Sequence, residues 1–301
     1  MLRRGMHTLF SLAVTVIFAV AASAADGTVF SLPNTEVHRL KAANGFGYDI
    51  HVWWPTAEAP EVGYPVLYLL DGHDNFAVAA ATAERMERFS PRSGVAPGII
   101  VAISAANLAE RAISFTPATP GQDVSKTGSA DAFITFIETA LKPFVEKRFK
   151  IDQNRQTLMG HSYGGLFTLH VLFTRPELFE AYIAVSPSIW FGDMILLQEE
   201  ATFADRLRAE PAARRLFLWA GEYEQTQPPP LGFAPENRAK TLALARHRMV
   251  DNAREMAWRL ETLAPYGLTA RFTVANGATH GTSMLPAIGD AMTRAFPLTD
   301  K

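Results

Sequence analysis

A serine enclosed by glycines is the feature of this sequence that most limits how the chain can fold. The segment Gly160-His-Ser-Tyr-Gly164 matches the G-x-S-x-G pattern, in which small flanking residues let the backbone turn sharply from a strand into a helix. A short apolar run, 157–159, precedes it, and leucines at helical spacing follow it. The sequence therefore predicts a strand, a tight turn at Ser162 and a helix. The alternative is a serine that only caps a helix.

The composition is that of one large globular domain. The chain has 301 residues, 48% of them hydrophobic, and strand-like segments alternate with helix-like ones along most of its length. This alternation predicts a doubly wound, mostly parallel α/β sheet over 25–301. Alternating residues over 28–40 and 47–54 predict an antiparallel pair of strands at its start, with the turn at Asn44-Gly45. A net charge of −2 argues against nucleic acid or an anionic membrane as a partner. The absence of cysteine excludes disulfides and a thiol nucleophile.

The first 24 residues have the pattern of an export signal. Arg3 and Arg4 form a basic start, an apolar run follows over 9–22, and Ala22-Ser23-Ala24 is a cleavage site of the A-x-A type. We expect a periplasmic or secreted protein with no stable membrane insertion after cleavage. An uncleaved anchor is the alternative, although the apolar run is shorter than the ~20 residues that span a bilayer.

Five apolar runs predict the central strands, at 65–70, 98–104, 181–186, 215–221 and 268–274. Between the first two we expect a polar loop at 71–75 and a crossover helix at 77–89. The segment 111–120 is polar and interrupted by proline, and it is predicted to be an irregular loop. An apolar stripe over 133–144 predicts a helix that Pro143 kinks or shortens.

The ends of these strands carry the side chains that acyl transfer requires. Reacting groups gather at the carboxyl ends of the strands in an open parallel sheet. A serine hydroxyl needs a base within hydrogen-bond reach, itself oriented by a third group. Ser162 is the predicted nucleophile. His280 is the predicted base, because it follows the last strand in a glycine-containing loop and the order serine, acid, histidine is typical of this arrangement.

The acid has two candidates after the 215–221 strand, Glu224 and Glu222. Either carboxylate could hold the imidazole tautomer and stabilise the imidazolium. Glu224 is favoured because the turn has more room there to approach the histidine loop.

An oxyanion hole also needs two N–H donors. Tyr163 N–H is one by the geometry of the motif. The second is expected after the 65–70 strand, where Gly72 lets the backbone approach closely and His73 N–H is the favoured donor. The alternative is that this segment is a plain turn.

Three further residues are candidates for substrate binding. Trp190 and Phe191 follow the strand after the Ser162 helix and should emerge at the same sheet edge, where aromatic rings can line a binding surface. Core packing is their alternative role. Arg111 lies in the predicted loop at 111–120, which should cross the opening of the same binding surface. There it could anchor a polar or anionic group of the substrate.

The ordered motifs resemble a known family. Leu69-Leu-Asp-Gly-His73, Gly160-His-Ser-Tyr-Gly-Gly165, Ser186-Pro-Ser-Ile-Trp190, Gly221-Glu-Tyr-Glu224 and His280-Gly281 are similar to the putative-esterase family of α/β-hydrolases. That family includes enterochelin-type siderophore esterases, S-formylglutathione hydrolases and mycolyltransferases. The resemblance implies an α/β-hydrolase fold, and the export signal and the Ser186 segment are most similar to the periplasmic siderophore-esterase branch.

Within that branch some members work with a Ser/His dyad, which would leave the acid dispensable. The branch's Arg-Thr-Arg-Asp-like loop reads Arg111-Ala-Ile-Ser114 here, so its charged pair is lost.

The function predicted from these features is a serine esterase that acts on a small-molecule carboxylic ester, of siderophore type by resemblance. We expect no cofactor and no metal. Two alternatives stay open: an acyltransferase that uses the same three residues with an alcohol acceptor, and a non-catalytic binding protein on the hydrolase fold.

Overall fold

The computed structural model describes residues 28–121, 123, 126–228 and 235–298, and its strands build one eight-stranded sheet. The predicted signal segment, 1–24, lies outside the described residues. The strands are β1 Thr35–Lys41, β2 Gly47–Trp53, β3 Tyr64–Leu70, β4 Ile99–Ala105, β5 Ile151–His161, β6 Ala181–Val185, β7 Arg214–Gly221 and β8 Leu268–Ala275.

The sheet order is β1-β2-β4-β3-β5-β6-β7-β8. Strands β1 and β2 pair antiparallel, β2 pairs antiparallel with β4, and every later pair is parallel. The predicted parallel sheet with an antiparallel N-terminal pair is confirmed. The first strand begins at Thr35, later than the alternating sequence pattern from Thr28 predicted.

Ten α-helices surround the sheet in the described ranges. They are α1 Gly72–Arg88, α2 Leu108–Phe115, α3 Ala130–Phe136, α4 Lys142–Arg148, α5 Tyr163–Thr174, α6 Phe191–Met194, α7 Leu196–Ala209, α8 Arg238–His247, α9 Met249–Glu261 and α10 Met284–Ala295. In these ranges no helix combines the length and the apolar character that crossing a bilayer requires.

The sheet separates two hydrophobic layers. Strand β3 is buried along its whole length, with Tyr68 and its period-two neighbours in one layer and Leu67 and Leu69 in the other. Helices α1 and α10 cover the second layer, whereas α3, α5, α7 and α9 cover the first. Since both faces of the central strands are covered, reactive groups can reach solvent only at the strand ends.

The predicted polar loop after β3 is wrong. Helix α1 begins at Gly72, because Asp71 adopts a left-handed conformation with φ of 57° that turns the chain directly from strand to helix. Aspartate tolerates this conformation better than most residues. The polar residues that suggested a loop form the first helical turn, where Asp74 lies favourably at the positive end of the helix dipole.

The predicted irregular loop at 111–120 is wrong in its first half. Helix α2 starts earlier, at Leu108, where the Asn107 side chain accepts a hydrogen bond from Glu110 N–H at 2.9 Å. Helix α2 ends at Phe115, and the prolines on which the loop prediction rested, at 117 and 120, follow that end. Arg111 is therefore held on a helix.

Pro143 does not end the helical segment that the apolar stripe predicted, which continues to Arg148. A π-helical turn, Ile137–Leu141, separates α3 from α4, and Pro143 occupies one of the first two positions of α4. Proline has no N–H to donate to the preceding turn, so a change in the hydrogen-bond pattern there follows from its chemistry.

Candidate active site

Ser162 lies at a strained turn between β5 and α5. Its backbone has φ of 58° and ψ of −116°, a conformation that side chains rarely adopt. A Cβ atom on Gly160 would lie 2.3 Å from the carbonyl oxygen of Gly164, so a larger residue could not occupy that position without opening the turn. The Ser162 N–H donates to the carbonyl of Val185 at 3.0 Å, which fixes the turn to β6.

His280 connects Ser162 with a glutamate. Its Nε2 is 3.0 Å from Ser162 Oγ, and its Nδ1 is 2.7 Å from Glu224 Oε2. Because an ionised carboxylate only accepts hydrogen bonds, Nδ1 carries the proton of the neutral imidazole. The unprotonated Nε2 therefore faces the serine hydroxyl and can accept its proton.

Glu224 is buried and fully engaged. Burial acts to raise the pKa of this carboxyl, but hydrogen bonds from His280, the Ser186 hydroxyl and the Gly221 N–H outweigh burial and hold the pKa below its ordinary value. Glu224 is thus a carboxylate at neutral pH. The other predicted candidate, Glu222, is exposed and accepts a hydrogen bond from Gly277 N–H at 2.7 Å.

Two serines that the sequence interpretation gave no role support this arrangement. Ser186 donates to Glu224 and lies 2.8 Å from the hydroxyl of Ser283, which in turn lies 3.2 Å from the carbonyl oxygen of His280. All of these contacts join segments at least 38 residues apart except the last. The sequence signal for Ser186 is its position directly after a buried strand, and Ser283 has no such signal.

His161 holds the His280 loop from the other side. Its Nε2–H donates to the His280 carbonyl oxygen at 2.8 Å, and the two ring centroids are 4.6 Å apart. Burial, followed by repulsion from a charge on His280, lowers the pKa of His161 to about 4. This histidine is therefore a neutral donor that positions the His280 loop.

The predicted oxyanion donors lie at two adjacent helix starts. Tyr163 is the first residue of α5, and Gly72 and His73 are the first two residues of α1. The first N–H groups of a helix have no acceptor within the helix and carry its positive partial charge. The two turns lie close together: a Cβ atom built on Gly164 would be only 3.4 Å from Asp71 Oδ2.

The two predicted aromatic residues differ in their surroundings. Phe191 is buried in the hydrophobic layer and makes an edge contact with Tyr163, which favours its alternative role in core packing. Trp190 is half-buried and stacks on the exposed His247 with centroids 4.4 Å apart. Its ring also lies 6.4 Å from that of Tyr163, so Trp190 belongs to the surface beside the serine turn.

Arg111 is located beside the serine turn, as predicted, but its guanidinium is occupied. It forms two hydrogen bonds with the Asp71 carboxylate, at 2.6 and 2.7 Å. A cavity of about 220 Å³ opens next to this pair and is lined by His73, Asn107 and Leu108 among others.

The chain is similar to known proteins along most of its length. Residues 45–250 match the model of the family described as "Putative esterase". The chain is 34% identical over 273 residues to a ferri-bacillibactin esterase of Bacillus subtilis, with 86% of this chain and 88% of the relative covered. It is 36% identical over 246 residues to a siderophore triacetylfusarinine C esterase of Aspergillus fumigatus, with coverages of 76% and 82%.

The chain belongs to this esterase family. A solved siderophore hydrolase from Aspergillus nidulans superposes on this esterase with a TM-score of 0.80 at 30% identity, over 90% of this chain and 97% of that one. A solved BES protein from Bacillus cereus gives 0.79 at 31% identity, over 92% and 100%. The protein is therefore a carboxylic ester hydrolase with the α/β-hydrolase fold that the motifs predicted.

Proposed function

We propose that this protein is an exported serine esterase that cleaves a siderophore-type ester through an acyl-enzyme on Ser162. The observation that carries the proposal is the continuous hydrogen-bonded series from Ser162 through His280 to Glu224. Membership of an esterase family supports the reaction class. The signal-like segment 1–24 supports a periplasmic or secreted location.

The roles follow from the geometry. Ser162 Oγ attacks the ester carbonyl carbon while its proton passes to His280 Nε2, and Glu224 stabilises the imidazolium that forms. The N–H groups of Tyr163 and His73 donate to the carbonyl oxygen as it becomes negative. The tetrahedral intermediate then expels the alcohol, which takes the proton from His280.

Water completes the cycle. His280 Nε2 accepts a proton from a water molecule, the resulting hydroxide attacks the acyl carbon, and Ser162 leaves with the proton that His280 returns. One ester and one water thus yield one acid and one alcohol, and the enzyme is restored.

The substrate class is inferred from the relatives. The names of two relatives refer to ferri-bacillibactin and to triacetylfusarinine C, and the alignments cover at least three quarters of this chain. Both names describe esterases of siderophores. We therefore assign an ester linkage of an iron-chelating molecule to this site, with Trp190 beside it as an aromatic surface.

A substrate screen tests the proposal. The purified protein is incubated with p-nitrophenyl acetate and butyrate, with a ferric catecholate trilactone and with the same trilactone without iron, and the acids released are identified by mass spectrometry. We expect turnover of the activated esters and preferential hydrolysis of a siderophore ester. Hydrolysis of the activated esters alone would remove the siderophore assignment, and turnover that persists in Ser162→Ala would remove the mechanism.

A further inference from the structure

The pair formed by Arg111 and Asp71 adjoins the residues of the proposed oxyanion hole. Asp71 is the residue that turns β3 into α1, and it immediately precedes Gly72 and His73. Its side chain does not cap the helix that it begins. Instead, both carboxylate oxygens accept hydrogen bonds from Arg111, one from Nε at 2.6 Å and one from Nη2 at 2.7 Å.

The same guanidinium reaches the serine turn. Arg111 Nη2 also donates to the carbonyl oxygen of His161 at 3.1 Å, and His161 is the residue before Ser162. The guanidinium carbon lies 6.0 Å from the centre of the Tyr163 ring and 5.3 Å from that of Phe115. One side chain on α2 therefore binds both turns that carry the proposed oxyanion donors.

This contact is too enclosed to be an ordinary surface ion pair. The Arg111 side chain is 19% exposed and that of Asp71 is 12% exposed. Two parallel hydrogen bonds between a planar guanidinium and a carboxylate fix the angle between the groups as well as their distance. Arg111 Nε and Nη2 thus both donate to protein acceptors, the two Asp71 oxygens and the His161 carbonyl oxygen.

We propose that Arg111 is a positioning residue, which holds the β3–α1 turn against the serine turn so that the N–H groups of His73 and Tyr163 converge on one carbonyl oxygen. The role replaces substrate anchoring, for which Arg111 was a candidate from sequence. It rests on the proposed function, because the two N–H groups matter only if Ser162 attacks a carbonyl.

The test replaces Arg111 with methionine, which keeps most of the side-chain length and removes the hydrogen bonds. We expect kcat to fall roughly 10- to 100-fold with KM changed less than about threefold, as for a displacement of catalytic groups by a fraction of an ångström to 1 Å. A neutral substrate, p-nitrophenyl acetate, and an anionic one, p-nitrophenyl hemisuccinate, should lose the same factor. A substrate anchor would instead raise KM for the anionic ester alone.

Arg259→Met is the matched control. Arg259 forms the same two-bond contact with Glu200, at 2.7 and 2.7 Å, between α9 and α7. Its loss should lower the thermal midpoint and leave kcat unchanged. A loss of kcat that follows stability alone would appear in both variants, whereas a positioning role appears only at Arg111.

Chemical rescue supplies a readout that a general loss of stability does not move. Added guanidinium or methylguanidinium ion, at concentrations below those that denature the protein, should restore part of the kcat of Arg111→Ala and none of that of Ser162→Ala. If Arg111 variants do not fold, Asp71→Asn removes the negative charge and one of the two hydrogen bonds with almost no change in volume, and it should lower kcat by at least about threefold.

A kcat within threefold of wild type in folded Arg111→Met or Asp71→Asn overturns the positioning role. An anion-specific rise in KM overturns it in favour of substrate anchoring. Either result leaves the proposed function intact provided that Ser162→Ala is inactive, whereas an active Ser162→Ala refutes the proposed function itself.

Discussion

Two carboxylate–imidazole pairs in this molecule have nearly the same length and different chemistry. His280 Nδ1 is 2.7 Å from Glu224 in the site, and His170 Nδ1 is 2.9 Å from Glu199 between α5 and α7. The His280 side chain is 41% exposed and that of His170 is 5% exposed. A histidine beside a glutamate is therefore not by itself the mark of a catalytic base.

The second ring nitrogen makes the difference. His280 Nε2 faces the hydroxyl of Ser162 at 3.0 Å, whereas His170 Nε2 is 3.4 Å from the carboxylate of Asp131. Burial alone would lower the pKa of His170, but Asp131 and Glu199 together raise it to about 9. His170 is thus a cation at neutral pH and has no free nitrogen to accept a proton.

The largest expected effect separates the two histidines directly. His280→Gln should lower kcat about 10⁴-fold or more, because the base and the nucleophile act as a unit. His170→Gln should leave kcat within about threefold, since no reacting atom is near it. Initial rates with p-nitrophenyl acetate measure both. Similar losses in the two variants would break the comparison.

The two glutamates near the site provide the next test. Glu224→Gln should lower kcat by about 10³-fold, because the amide no longer stabilises the imidazolium and can favour the wrong tautomer. Glu222→Gln is the matched control, since Glu222 is exposed and contacts only the Gly277 N–H among the described partners. Full activity in Glu224→Gln would indicate that Ser162 and His280 work as a dyad.

The contact between His170 and Glu199 should affect the stability of the protein and leave its activity unchanged. Because the pKa of His170 rises from 6.5 to about 9 on folding, its contribution is fully present below pH 6.5 and is lost as the pH rises through about 9. His170→Gln should therefore destabilise the protein by about 1–3 kcal/mol near pH 6. Denaturant unfolding at pH 6, 8 and 10 should show the difference from wild type shrinking. A difference that grows with pH would contradict a charged His170.

A third histidine, His247, contacts the site through an aromatic neighbour, Trp190. His247 stacks on Trp190 beside the serine turn, so Trp190→Ala should change the relative kcat/KM of small and large aryl esters by up to about tenfold. Phe191→Ala is the companion variant, because Phe191 is buried and its truncation should cost about 3–5 kcal/mol with the ranking unchanged. A reversed outcome would place Trp190 in the core and Phe191 at the site.

Features that are contiguous in the sequence were predictable. The Ser162 turn, the central strands and the parallel sheet follow from local patterns of glycine and apolar residues, and the structure has them at nearly the predicted bounds. Helix starts were less predictable. The conformation of Asp71 starts α1 several residues earlier than predicted, and the cap at Asn107 starts a helix where a loop was predicted. Polar residues are compatible with either a loop or a first helical turn.

Contacts between distant segments could not be predicted from one sequence. Arg111 and Asp71 are 40 positions apart, and Ser186 and Glu224 are 38 apart. Their meeting depends on the order of strands in the sheet, which brings the ends of β3, β5, β6 and β7 to one edge. For the same reason the sequence placed Glu224 near His280 only as one of two candidates.

Covalent labelling of the nucleophile tests the central claim most directly. A fluorophosphonate that mimics the tetrahedral intermediate is incubated with wild type, Ser162→Ala, His280→Gln and His170→Gln, and intact mass and peptide mapping give the rate and position of the adduct. We predict one adduct, on Ser162, at the same rate in wild type and His170→Gln, at least about 10³-fold slower in His280→Gln, and none in Ser162→Ala. An adduct on another residue, or labelling of Ser162 that is unaffected by His280→Gln, would contradict the account.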